Sequence, residues 1–138
     1  MNCSANRQGG WAWWWLAALL APWPLMDVAC AAPLVGIASY YGRESCAVNP
    51  DPRCPTASGK SLYALEGQPY AAMWNVPFGT QMKVCVKSGR CAVTTVWDRG
   101  PARKLHRVID LDPVTFRYLS GNRRGQGLLN VTVERVTP

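Results

Sequence analysis

The stretch TQMKVCVKSGRCAVTTVWD, Thr80 to Asp98, constrains this chain more than any other. Met82, Val84 and Val86 alternate with Gln81, Lys83 and Cys85, the two-residue period of a strand with one buried face. RCAVTTVWD answers it across a Ser88-Gly89 turn, which predicts a hairpin. Other short β-leaning runs are LVGIASYYG (Leu34 to Gly42), RVIDLD and GLLNVTVERV. In the last of these, Leu129, Val131, Val133 and Arg135 alternate against Leu128, Asn130, Thr132 and Glu134. The stretch AAMWNVPFGT ends in a Pro and Gly turn, and Arg43 to Tyr70, with four prolines, reads as irregular apart from a turn of helix near SLYAL. One further helix is signalled by Asp112 as cap, Pro113 at its first position, VTFRYL, and Gly121 at its end. The expectation is a mainly β domain: a small, closed or nearly closed six-stranded barrel with one or two short helices. Closure removes open sheet edges.

Ahead of this domain, Arg7 precedes the apolar block WAWWWLAALLAPWPL, which is short and broken by Pro22 and Pro24, and Ala29 to Ala31 offer small residues for cleavage. Residues 1–31 therefore read as a signal peptide and 32–138 as the domain, secreted or periplasmic, with no stable membrane insertion. Lipoprotein anchoring through Cys30 is not expected, because Asp27 sits where an apolar residue belongs. Five of the seven tryptophans leave with the leader, and only Trp74 and Trp97 remain. Arg7 and Asp27 cancel, so the exported part keeps the net charge of +7. A basic exported domain meets anionic polymers first, wall glycans among them, although such charge also serves solubility alone.

Cys46, Cys54, Cys85 and Cys91 stay in the domain and read as two disulfides, with three pairings open. Local pairing is favoured, because CVKSGRC frames a turn and CAVNPDPRC is a Pro/Asp loop that needs fastening. Each such closure contributes about 2 kcal/mol in the chain-entropy account. No metal site or cofactor is expected: the cysteine spacings are not Cys-x-x-Cys, and the only histidine, His106, lies far along the chain.

The motifs GIASYYG, TASG, VPFGT, VWDRGP and VIDL followed by a capped helix resemble, in order and spacing, the RlpA-like (rare lipoprotein A) double-psi β-barrel family. Related barrels occur in expansins and family 45 glycosidases. The resemblance covers about residues 35 to 136. It implies a double-psi barrel acting on peptidoglycan, as a lytic transglycosylase cutting between N-acetylmuramic acid and N-acetylglucosamine. The family pattern has a glutamate after the TASG-like glycine, a histidine after paired alanines, and an aspartate in DRGP. Asp98 matches the last, whereas Lys60 and Met73 stand at the other two positions. Protonating a glycosidic oxygen needs an acid of raised pKa, for which lysine is a poor replacement and methionine none.

Candidate catalytic residues are therefore Asp98, Asp110 and Glu66. Asp110 matches the aspartate of the expansin DLS-like motif, and the Asp98–Asp110 pair is the one to compare with the carboxylate spacing of inverting glycosidases. Glu66 is the acid that would have to fold back over the site. Asp98 has a second reading as a turn builder ahead of Arg99-Gly100-Pro101. Tyr41, Trp74, Trp97 and Arg99 are candidate binding residues, Tyr40 lies beside them, and Arg103, Lys104 and Arg107 extend a cationic rim. The expected partner is peptidoglycan or another cell-wall polysaccharide, bound by a monomer, with no nucleic acid. Two alternatives stay open: an active transglycosylase using Asp98 and another acid, and a secreted basic effector or defence-type binding protein.

Overall fold

The computed structural model describes residues 32–123 and 125–136; the expected leader lies outside the described residues. Six strands, β1 (Leu34–Tyr40), β2 (Tyr70–Ala72), β3 (Gln81–Val86), β4 (Cys91–Asp98), β5 (Ile109–Leu111) and β6 (Leu129–Arg135), close into a barrel in the order β1-β5-β2-β4-β3-β6. β1 and β5 run parallel, as do β2 and β4, and the other four pairings are antiparallel. Exchanging β1, β2 and β3 for β4, β5 and β6 reproduces every pairing. This two-fold connectivity is the double-psi arrangement.

The hairpin forms as the alternation requires. Met82 and Val84 are buried, Gln81 and Lys83 exposed, and Cys85 stands opposite Cys91. Both disulfides are local, Cys46–Cys54 and Cys85–Cys91. The barrel core contains Ala38, Met73, Val84, Val96, Ile109, Leu111, Val131 and Val133, with Phe116 and Leu119 contributed by the helix α2 (Pro113–Ser120). Asp112 caps that helix by accepting from the amides of Val114 and Thr115 at 3.0 and 2.9 Å, and its other oxygen accepts from the amide of Tyr70 at 3.4 Å. One buried carboxylate thereby fastens α2 to β2. Among the described residues no helix is long and apolar enough to cross a membrane.

The stretch between β1 and β2 is more ordered than its prolines predict. It contains a 3-10 segment (Arg43–Val48) and the short helix α1 (Leu62–Leu65), capped by Ser61. Cys54, Leu62, Leu65 and Tyr70 form a second small core, with Tyr41, Cys46 and Trp97 packed against it. The Cys46–Cys54 bridge staples this satellite, and β2 emerges directly from it.

Gly36 on β1 is fixed by a close approach, since a Cβ there would lie 2.3 Å from Val108 Cγ1. Val108 is β-branched and its amide donates to the Ile37 carbonyl at 2.8 Å, so it cannot simply step aside. Gly36→Ala is expected to cost about 2 kcal/mol through overpacking, read from urea melts. The double variant Gly36→Ala/Val108→Ala should recover part of that loss, and a neutral Gly36→Ala would refute the packing argument.

Candidate functional site

One row of side chains crosses four adjacent strands. Ser39 of β1 stands opposite Asp110 of β5, Asp110 opposite Ala72 of β2, and Ala72 opposite Asp98 of β4. Their chain neighbours Ala38, Ile109, Leu111 and Ala71 lie in the core, so alternation puts the row on the outer face of the barrel. Asp98 joins it through a bulge: Ala71 pairs with Val96 but Ala72 pairs with Asp98, leaving Trp97 as the extra residue. Strict alternation from core-facing Val96 would have turned Asp98 inward. Two strand spacings separate Asp98 from Asp110, about 9 to 10 Å between backbones.

Asp98 has a turn-building role. Its Oδ1 accepts from the amides of Ala57 at 2.7 Å and Arg99 at 2.8 Å, and Ser58 N donates to the Trp97 carbonyl at 3.3 Å. The TASG loop is thereby strapped to the end of β4. Gly100 lets the next turn pass close to β2 and β5: a Cβ there would lie 3.3 Å from Ala72 Cβ and 3.6 Å from Asp110 Oδ2. The same carboxylate that builds the turn also stays in the row.

Asp110 accepts a short hydrogen bond from the Ser39 hydroxyl, and the Arg107 guanidinium stands 3.9 Å away while donating to Ser39 Oγ at 2.5 Å. Burial raises the Asp110 carboxyl above the usual range and the charge of Asp98 adds to this, against the opposing pull of Ser39 and Arg107. Burial, followed by Asp98, also pushes the Tyr41 phenol far up. The Tyr41 hydroxyl feels the charge and hydrogen-bonding pull of Asp98, yet it is shut from solvent without a well-formed hydrogen bond to any described group. The row therefore combines a carboxylate held by amides with a carboxyl whose proton affinity burial raises, and the Tyr41 phenol lies within the field of both.

The native state holds the Asp110 proton to higher pH than the unfolded chain does. Stability from this group is thus complete below the unfolded value of about 3.9 and is lost as pH rises through the raised folded value. Asp110→Asn keeps an oxygen for Ser39 and removes that loss. The melting temperature of the variant relative to wild type should rise across the mildly acidic range, and a difference independent of pH would contradict the assignment.

Both tryptophans lie close to members of the row in the chain. Trp74 follows β2 by two residues, is 39% exposed, and donates its indole N–H to the Pro101 carbonyl at 2.5 Å, with Arg103 4.9 Å over its ring. Trp97 is half-buried against the satellite core and carries Lys60 at 4.5 Å over its ring. Arg99 stacks on Phe78 at 3.7 Å and donates to the Met73 carbonyl at 3.2 Å. The expected cationic rim is thus largely engaged, with Arg107 turned into the row and Arg99 and Arg103 laid on aromatic faces. His106 is exposed.

Glu66 stands apart from the row. It pairs with Arg43 at 3.2 Å in a cleft of about 240 Å³ that also takes in Glu44 and Tyr70, and neither Asp98 nor Asp110 lines that cleft. The Met73 side chain is buried in the barrel core, and only its backbone reaches the row, its amide donating to the Asp98 carbonyl at 3.2 Å. Sequence reasoning did not single out Ser39, a common residue type in an unremarkable strand, or Phe78, hidden in the VPFGT turn. No protein-family model matches the chain, and no curated protein matches it either.

Proposed function

We propose that this is an exported, RlpA-like cell-wall protein that binds glycan strands, peptidoglycan first, along the outer face of β1, β5, β2 and β4. The observation carrying this reading is the Ser39–Asp110–Ala72–Asp98 row, with Trp97 next to Asp98 in the chain and Trp74 bonded to the turn that follows it. Aromatic rings offer sugar faces to stack on, and the partly exposed carboxylates of Asp98 and Asp110 offer acceptors for sugar hydroxyls. Lys60 and Met73 at the positions of the family glutamate and histidine weigh towards binding without the family's own chemistry.

A second reading, cleavage, is favoured by Asp110. A carboxyl whose proton affinity burial raises, on the same face as a second aspartate, is an arrangement glycosidic cleavage can use: Asp110 would protonate the leaving oxygen, and Asp98 would stabilise the oxocarbenium-like charge. Glu66, paired to Arg43 outside the row, is the weaker acid candidate.

The test incubates the oxidised protein and its Asp98→Asn variant with intact and peptide-stripped peptidoglycan, then analyses pellet and supernatant by mass spectrometry. Retention of both proteins without soluble product is the expected result. Anhydro-sugar ends lost in the variant would replace binding by transglycosylase activity. Binding that disappears at moderate salt and tolerates changes in the row would point instead to a basic effector.

A further inference from the structure

A second concavity, of about 530 Å³, lies against α2 and the loop after it, and is lined by Tyr40, Phe116, Arg117, Asn122, Arg123 and Gln126 among others. None of its lining residues is acidic, and among the described residues neither Arg117 nor Arg123 makes an ion pair. It opens beside the C-terminal end of α2, where free carbonyls would repel an anion. Here those of Arg117, Tyr118 and Leu119 are occupied. Gly121 N donates to the carbonyls of Arg117 and Tyr118, Asn122 N and Ser120 Oγ donate to that of Arg117, and Arg90 Nε donates to that of Leu119. Arg90 also brings its guanidinium against Gly121, adding positive charge behind the cleft. Tyr40, 47% exposed and tilted against Phe116 at 4.8 Å between centroids, supplies a supported aromatic ring on one wall.

We propose that this cleft binds a sugar-sized ligand carrying an oxyanion, a phosphate monoester in preference to a carboxylate. Two guanidinium groups match the charge of about −2 on a phosphate monoester, Asn122 supplies a neutral donor, and Gln126, whose Nε2 donates to the Leu128 carbonyl at 3.2 Å, keeps a second N–H. The volume suits a ring plus its anionic group, with Tyr40 placed to contact the ring. The inference rests on this cleft alone and does not require the reading of the Asp98 row.

The test is calorimetric titration of the full protein at low ionic strength with glucose 1-phosphate, glucuronate, glucose and inorganic phosphate, with amide shifts followed by NMR. Glucose 1-phosphate should bind most tightly and move the amides of Arg117, Asn122, Arg123 and Gln126, glucuronate should bind more weakly, and glucose should not bind. Arg123→Ala, in an exposed loop where folding is not at stake, should weaken the phosphate ester about ten-fold. Lys87→Ala, an equal loss of charge on the hairpin turn, should leave it unchanged. Equal weakening by Lys87→Ala, equal binding of glucose, or no binding at millimolar concentration would each overturn the proposal. Inorganic phosphate binding as tightly as the ester would overturn the role given to Tyr40.

Discussion

Asp98→Ala is expected to destabilise the domain by about 2 to 3 kcal/mol and to free the loop at residues 56–60, while Asp98→Asn should cost less than about 1 kcal/mol. The carboxylate is a shared acceptor for the amides of Ala57 and Arg99, at 2.7 and 2.8 Å. Hydrogen bonds to a charged acceptor are worth about 1.5 to 3 kcal/mol each, and the partial exposure of this site favours the low end. An asparagine oxygen can accept the same two donors, whereas alanine leaves both to water. The two variants therefore separate geometry from charge. Urea melts give the energies, and amide hydrogen exchange at Ala57 and Arg99 localises the effect, with faster exchange expected in Asp98→Ala alone. The loss of charge in Asp98→Asn has its own signature: it removes one cause of the raised Asp110 pKa, so a carboxyl ¹³C titration should find Asp110 lower than in wild type. If asparagine destabilises as much as alanine, the charge of Asp98 and not its position holds the turn.

The bulge at Trp97 explains why the barrel was more legible in the sequence than the site. Alternation in β3 and β6, the Asp112-Pro113 start and the Gly121 end of α2 are local patterns, and the structure follows them. β2 is three residues long and wholly buried, so it has no alternation to detect, and its place in the barrel depends on pairing with β4 and β5. The ordering of residues 43–69 likewise rests on a satellite core whose members come from separate turns. Asp98 and Asp110 were recognisable as candidates from their motifs. Their juxtaposition on one face was not, because it depends on a one-residue register shift between β2 and β4. Glu66 shows the converse: a carboxylate in the right stretch of chain finds Arg43 first, and nothing local announces that pairing.

Trp74→Ala should weaken retention on peptidoglycan by about 30-fold, the largest single effect expected on binding. Exposed tryptophans at binding faces commonly contribute about 2 kcal/mol or more when truncated, and this one arrives already oriented. Its indole N–H is committed to the Pro101 carbonyl, and the ring stays 39% exposed beside the row. Little rotamer freedom then remains to be lost on binding, so more of the stacking energy appears as affinity. Arg103, 4.9 Å over the ring, leaves with the same anchor, which adds a charge component that salt should weaken. Trp74→Phe keeps an aromatic face but loses the bond to Pro101, and an intermediate affinity follows. Pull-down isotherms on peptide-stripped peptidoglycan measure all three proteins without interference from stem-peptide charge. Wild-type affinity in Trp74→Ala would remove this tryptophan from the binding face and leave the row to act without it. Equal losses in the Phe and Ala variants would assign the effect to the orientation imposed by Pro101 and not to ring area.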